Sequence, residues 1–348
     1  MQQLIYFNLQ AIPLRSFGTE DNIRQKFPAM ANISQENIKW CFHLQNDLNK
    51  LDYFRITFIV CCVVNAIFAV CATISNGAIV IGIKRTPSLH TPSNLLFCGL
   101  AACGIGVGIL TQPTYVIYKV AELTRDVKTI CWIRKLHHIC THFFSKLLLF
   151  ILAEISVERF LGVYLLQSYR TVVSGKRVAI ALVAANIAAA FIAASIALWK
   201  YSIVSNVLNF VVMFCSVLIT TASYSIVYLK LKERTRIQRN NLLLKQSKSN
   251  KIEHIRIYKH SIKTVAWLIG SVVLCSLPQL CLLVVQAILG YSDPVRLAQN
   301  VAATILFINA TFNPLVWFYR NKEIRQAACK ALRISRTTTE ILQLQVLD

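Results

Sequence analysis

The sequence predicts an all-α membrane protein: a bundle of seven transmembrane helices followed by a short amphipathic eighth helix. Three observations predict it. Seven long apolar segments follow one another, over residues 56–83, 93–118, 131–160, 177–199, 206–230, 262–289 and 297–319. Basic residues collect on alternate loops. Charged residues make up only 15% of the chain and hydrophobic ones 55%, with a mean hydropathy of +0.53. A soluble domain carries about 25% charged residues.

Each segment, called spans 1 to 7 in chain order, has about 20 or more residues, enough to cross a bilayer core of about 30 Å as a helix. In lipid the backbone must satisfy its own hydrogen bonds, which selects helices over open strands. Seven crossings put the termini on opposite sides. Lys84 and Arg85 follow span 1, and Arg170, Lys176 and Arg177 follow span 3. The loop after span 5 is dense in Lys and Arg, and the tail adds Arg320, Lys322, Arg325, Lys330, Arg333 and Arg336. The other loops are mixed: Glu122, Arg125, Asp126 and Lys128, then Lys200, then Asp293 and Arg296. The positive-inside rule places the basic set in the cytoplasm, so the N-terminus is expected outside and the C-terminus inside. In a soluble protein the net charge of +22 would suggest nucleic acid. Spread over alternate loops, it suits anionic inner-leaflet lipid and acidic partner surfaces instead.

Residues 1–55 are read as an extracellular segment, 56–320 as the bundle, 321–333 as the amphipathic membrane-surface helix and 334–348 as a cytoplasmic tail. No basic start, short apolar run and cleavage site occur in sequence, so span 1 is expected to act as an uncleaved signal. Met30 offers a second start, which would make 1–29 artefactual. Asn32-Ile33-Ser34 is a glycosylation sequon on the outer side, or a chance match. Asn309-Ala310-Thr311 also matches but lies inside span 7. Besides Cys131 at the outer edge of span 3, nine of the twelve cysteines fall within spans, where cysteine behaves as a small apolar residue. Cys41 and Cys131 lie on the outer side, where a pair is one option. Cys329, in the basic amphipathic stretch after span 7, is a palmitoylation candidate.

The span boundaries carry polar motifs. Asn76 is a buried amide that must find a partner on a neighbouring helix. Span 3 ends in Glu158-Arg159-Phe160, an adjacent acid and guanidinium that neutralise each other until the cytoplasmic end opens and frees the Arg. Pro278 in span 6 removes a helical hydrogen bond and is expected to kink the helix. Span 7 ends in Asn313-Pro314-Leu315-Val316-Trp317, where freed carbonyls and an amide can organise water and side chains.

These residues resemble the rhodopsin-like (class A) G-protein-coupled receptors. Asn76 is similar to that family's span 1 Asn, Asn94 and Leu100-Ala101 to its span 2, and Glu158-Arg159-Phe160 to its acid-Arg-aromatic motif. Tyr224 resembles its span 5 Tyr, Cys275 and Pro278 its span 6 motif, and Asn313-Pro314 its span 7 motif. The resemblance covers about residues 55–333. It implies a plasma-membrane receptor, not an enzyme, whose partners are a heterotrimeric G protein, an extracellular ligand and the lipid bilayer. Arg159, Tyr224 and the basic third inner loop would meet the G protein. The loop wording Lys84 to Pro92 resembles receptors expanded in cnidarians, distantly similar to the melanocortin and adenosine branch.

Departures from the family accompany the match. Its buried span 2 Asp falls on Gly104, so the sodium site built on that acid is expected to be lost, leaving no cofactor. Its span 4 Trp falls on Asn186, its span 5 Pro on Ser216, its span 6 Trp on Ser276 and its closing span 7 Tyr on Trp317. Tyr258 stands where many members place an acid to restrain Arg159. Cys131 lies three residues before the usual span 3 position, Arg134, and the loop after span 4 holds no Cys, so the usual disulfide to that loop is not expected. A receptor with a weak lock and a diverged, silent homologue acting by dimerisation both fit. A transporter finds no inverted repeat or paired broken helices in its support.

Charged residues within spans suggest function by default. His138, His142 and Lys146 repeat at four-residue spacing and share one face of span 3. Facing the cavity, they would hold an anionic ligand. Alternatively the outer members sit at the interface and Lys146 snorkels. Thr141 occupies the position where aminergic members place an Asp, and Phe307 the position of the retinal-binding Lys. Ser276 and Phe307 complete the ligand-site candidates. The His cluster has no metal-ligand spacing.

Overall fold

A computed structural model describes residues 51–165, 168–198 and 292–330, with most of 211–233, Arg236 and most of 266–285. Every described regular element is helical. Span 1 is the helix Leu51–Arg85. A short turn, Pro87–Leu89, leads to Thr91, whose hydroxyl caps span 2 by accepting from the Asn94 N–H at 3.2 Å. Span 3 is Val127–Leu165, span 4 Gly175–Leu198 and span 7 Asp293–Arg320, with Pro314 inside it.

Span 2 is not uniform. It runs as an α-helix over Pro92–Gly106, a π-helical turn over Val107–Thr111, and an α-helix over Gln112–Thr124. Pro113 explains the middle piece: it donates no hydrogen bond, and a π turn is a usual way to absorb the break. Arg125, with φ 58°, ends the helix in the left-handed region. Asp126 opens span 3, accepting from the Thr129 N–H at 3.2 Å. Thr129's hydroxyl and backbone hold that carboxyl below its ordinary value. Only two residues therefore separate spans 2 and 3.

Among the described residues, three helices, Phe54–Arg85, Pro92–Thr124 and Gly175–Ser195, are long and apolar enough to cross a membrane on length and composition alone. Spans 3 and 7 are as long but carry charged and polar side chains. Spans 5 and 6 are represented by the apolar stretches Phe214–Lys230 and Ile269–Leu282. Large apolar side chains such as Ile56, Val63, Ile67, Val70 and Ile74 point outward, while Asn65, Asn76, Gln112, Asn309 and Asn313 are buried. This inverted pattern suits a lipid environment. Lipid tails are as apolar as leucine, so polar groups and close packing join the helices.

The inner half is packed around Ile79, Leu96, Leu100, Ile151 and Ile155, and Ile324 of the post-span-7 helix joins this cluster. That helix, residues 322–330, docks on span 1 by close backbone approach. A Cβ on Gly82 would lie 2.8 Å from the Ala328 nitrogen.

The helices outrun the apolar segments at their outer ends. Glu122 and Arg296, read above as loop charges, lie in helices and are buried. Ser216, in place of the family's Pro, donates to the Val212 carbonyl at 2.8 Å, as a continuous helix allows. Asn186 satisfies its amide on the Leu182 carbonyl at 2.8 Å.

Candidate functional site

The inner end of span 3 gathers three elements on one carboxylate. Glu158 is buried. Ser93, in the first turn of span 2, donates its hydroxyl to Glu158 Oε1 at 2.8 Å. Tyr169, in the short helix Tyr169–Val172 after span 3, donates its phenol to the same oxygen. Arg159 Nε lies 3.1 Å from Glu158 Oε2, an ion-pair distance without hydrogen-bond alignment. Its guanidinium also sits 5.6 Å from the centre of the Phe97 ring. Phe160 stacks on Tyr164, whose other neighbour is the Lys230 ammonium at 4.3 Å. Burial first, and the Glu158 charge second, push the Tyr169 phenol well above its ordinary value.

The bundle centre holds buried amides. Asn76 donates to the Ala72 carbonyl at 2.8 Å and to the Ala310 carbonyl of span 7 at 3.0 Å. Its amide also fills the space beside Gly104, where an added Cβ would meet the Asn76 side-chain atoms at 2.6 to 2.8 Å. The family's sodium ion needs a carboxylate at that place. Gly104 supplies none and Asn76 occupies its room, so these residues do not fit the ion. Farther along span 7, Asn309 has neither side-chain polar atom hydrogen-bonded and Asn313 leaves its oxygen without a partner. Pro314 is buried beside them.

In the outer half, His137 is the hub. Its ring lies 5.5 Å from Tyr115 and 5.8 Å from Phe307, and Thr114 and Thr141 approach its two nitrogens at 3.4 Å each. Two of the sequence candidates, Thr141 and Phe307, therefore meet through a residue that was not among them. His138 and His142 stack at 6.2 Å. Lys146 is 5% exposed. It has no hydrogen bond or ion pair among the described residues. No described contact joins Ser276 to this group. Glu154, two turns along the helix, leaves one buried carboxylate oxygen without a hydrogen bond.

Above them lies a buried ion triad that sequence reasoning missed. Lys119 Nζ is 2.8 Å from Glu122 Oε2, and Arg296 Nη2 is 3.2 Å from Glu122 Oε1. The i, i+3 spacing of Lys119 and Glu122 was the available signal. Nothing in the sequence signalled Ser93 or Tyr169. Cys131 is disulfide-bonded, to a partner outside the described residues. Cys329 is exposed and Cys275 buried, both as free thiols. Tyr224, Tyr258, Asn32, Cys41, the Trp317 side chain, most of the third inner loop and the tail lie outside the described residues.

Residues 75–206 match the family model described as 7 transmembrane receptor (rhodopsin family). Trace amine-associated receptors 8b and 8a of Rattus norvegicus are each 29% identical over 134 residues, 38% of this chain. The match spans 38% of those relatives' own length. Among solved structures, the crystal structure of squid rhodopsin superposes with a TM-score of 0.66 at 14% identity, over 82% of this chain and 86% of that one. At that identity the likeness shows the fold.

Proposed function

We propose that this chain belongs to the rhodopsin family of seven-transmembrane receptors and relays an extracellular signal to a heterotrimeric G protein. It would sit in the plasma membrane with its N-terminus outside and its C-terminus in the cytoplasm. The family is one of receptors, not enzymes. A single observation carries the signalling reading: Arg159 is held at the inner end of span 3 by its own neighbour, Glu158, whose carboxylate two other donors already share.

Ligand binding in the outer half then biases an outward swing of the inner half of span 6, hinged near Pro278. The swing presents Arg159 and Tyr224 to the C-terminal helix of Gα. Asn76, Asn313, Pro314 and Trp317 link the core to that inner end. The two states need differ by only a few kcal/mol, and a ligand shifts them by its difference in affinity.

The ligand carries an acidic group. A lysine buried in the bundle is costly unless a counter-charge meets it, and His142 and His138 extend the Lys146 face outward. The amines in the relatives' names are not carried over, because Thr141 offers no carboxylate. The Lys84 to Pro92 loop resemblance adds no ligand chemistry.

The test is nucleotide exchange by purified Gα subunits on vesicles holding the full chain. Exchange above empty vesicles, lost in Arg159→Ala, supports coupling. Equal exchange in both, unmoved by any anionic compound, replaces this reading with the silent homologue. Solute uptake into the same vesicles identifies a transporter.

A further inference from the structure

We propose that the outer ends of spans 1, 2 and 7 form a binding site for a primary ammonium ion, which the chain fills with its own Lys119.

The recognition chemistry of an ammonium ion is a carboxylate plus the faces of aromatic rings. Both converge on Lys119 Nζ. Glu122 accepts its hydrogen bond at 2.8 Å. The Phe58 ring lies 4.3 Å away, Tyr118 4.5 Å and Tyr115 5.9 Å. Lys119 is 3% exposed and Glu122 fully buried, so the pair is screened by no solvent and each contact counts for more than at a surface.

Two features make this a site rather than an ion pair alone. First, the carboxylate is fixed independently of Lys119. Its second oxygen takes Arg296 at 3.2 Å, and that guanidinium packs on Phe54 and Phe58 at 5.3 and 5.4 Å. Second, the box is built from two helices, with Phe58 from span 1 and both tyrosines from span 2. Phe58 stacks with Phe54 at 5.9 Å, and Tyr115 donates to Asn300 of span 7 at 3.2 Å. Removing the lysine tip leaves carboxylate and rings assembled around an emptied, ammonium-sized space. The lysine then acts as a tethered ligand that ties span 2 to spans 1 and 7.

The experiment is chemical rescue of the full chain in lipid vesicles. Lys119→Ala removes four atoms that n-propylammonium replaces. Its thermal midpoint falls, and propylammonium restores it saturably. Propanol, the neutral isostere, does not restore it. Lys119→Met, which fills the box with an apolar chain, gains nothing from propylammonium, nor does Lys119→Ala combined with Glu122→Gln. Equal restoration by propanol reduces the site to a cavity and overturns the proposal. So does a midpoint that no propylammonium concentration moves. Should Lys119→Ala not reach the cell surface, propylammonium in the medium returns it there. Continued absence, with Lys119→Met displayed, overturns the proposal equally.

Discussion

Tyr169 reaches back eleven residues along the chain to donate its phenol hydrogen to Glu158. The loop after span 3 thereby shares the carboxylate that also faces Arg159. Because Ser93 donates to the same oxygen, the acid has two donors besides the guanidinium. That explains an Arg159 at ion-pair distance yet not aligned for a hydrogen bond.

The arrangement gives opposite signs to two substitutions. Tyr169→Phe removes a donor to a charged group, an interaction of about 1.5–3 kcal/mol. The carboxylate then turns toward Arg159, the pair tightens and basal nucleotide exchange falls, by roughly ten- to a hundredfold if the full energy reaches the switch. Glu158→Gln removes the charge and raises basal exchange. Initial rates of labelled-nucleotide uptake by Gα check both. A rise in Tyr169→Phe refutes the donor-sharing account.

Gly104→Asp does not rebuild a sodium site. The new Cβ meets the Asn76 amide at 2.6 Å, and overpacking of this kind costs about 1–3 kcal/mol. The midpoint of thermal unfolding falls and stays insensitive to sodium against potassium at equal ionic strength. Adding Asn76→Ala frees the space, at the loss of the hydrogen bond to Ala310, and recovers part of the midpoint. A sodium-dependent rise in the single variant contradicts the geometry.

Lys146→Met tests the anionic-ligand reading without a known ligand. The substitution keeps length and removes a buried charge that no described group offsets, so the ligand-free protein is stabilised by about 1–3 kcal/mol. Thermal shifts of wild-type protein with a panel of carboxylates and phosphates should vanish in the variant. A destabilised Lys146→Met would mean that the ammonium has a protein partner, and the ligand reading would fail with it.

Which features were legible in the sequence follows from the physics each depends on. Hydropathy is additive along a chain, so the spans around Asn76, Arg159 and Pro314 were visible. Helix ends depend on caps and tertiary burial. Glu122 and Arg296 therefore looked like loop charges until Arg125 and Asp293 were seen to bound the helices. The triad joins residues 174 apart, and no local period links them. His137 shared no four-residue stripe with Lys146, yet it meets Thr114 of span 2 and Phe307 of span 7, contacts between helices that no local period encodes.

The contact between Gly82 and Ala328 makes the last prediction. The described part of the helix after span 7, residues 322–330, docks on span 1 through buried Ile324 and Ala328 and the close approach that Gly82 permits. A Cβ there would meet backbone, with the Ala328 nitrogen at 2.8 Å and the Ala327 carbonyl carbon at 2.9 Å. Backbone cannot rotate aside, so Gly82→Ala costs about 1–3 kcal/mol. Hydrogen exchange of residues 322–330 should quicken by one to two orders of magnitude at roughly that cost, while the amides of spans 2 and 3 keep their protection. Unchanged exchange at 322–330 would show that the membrane surface, rather than span 1, orders this helix.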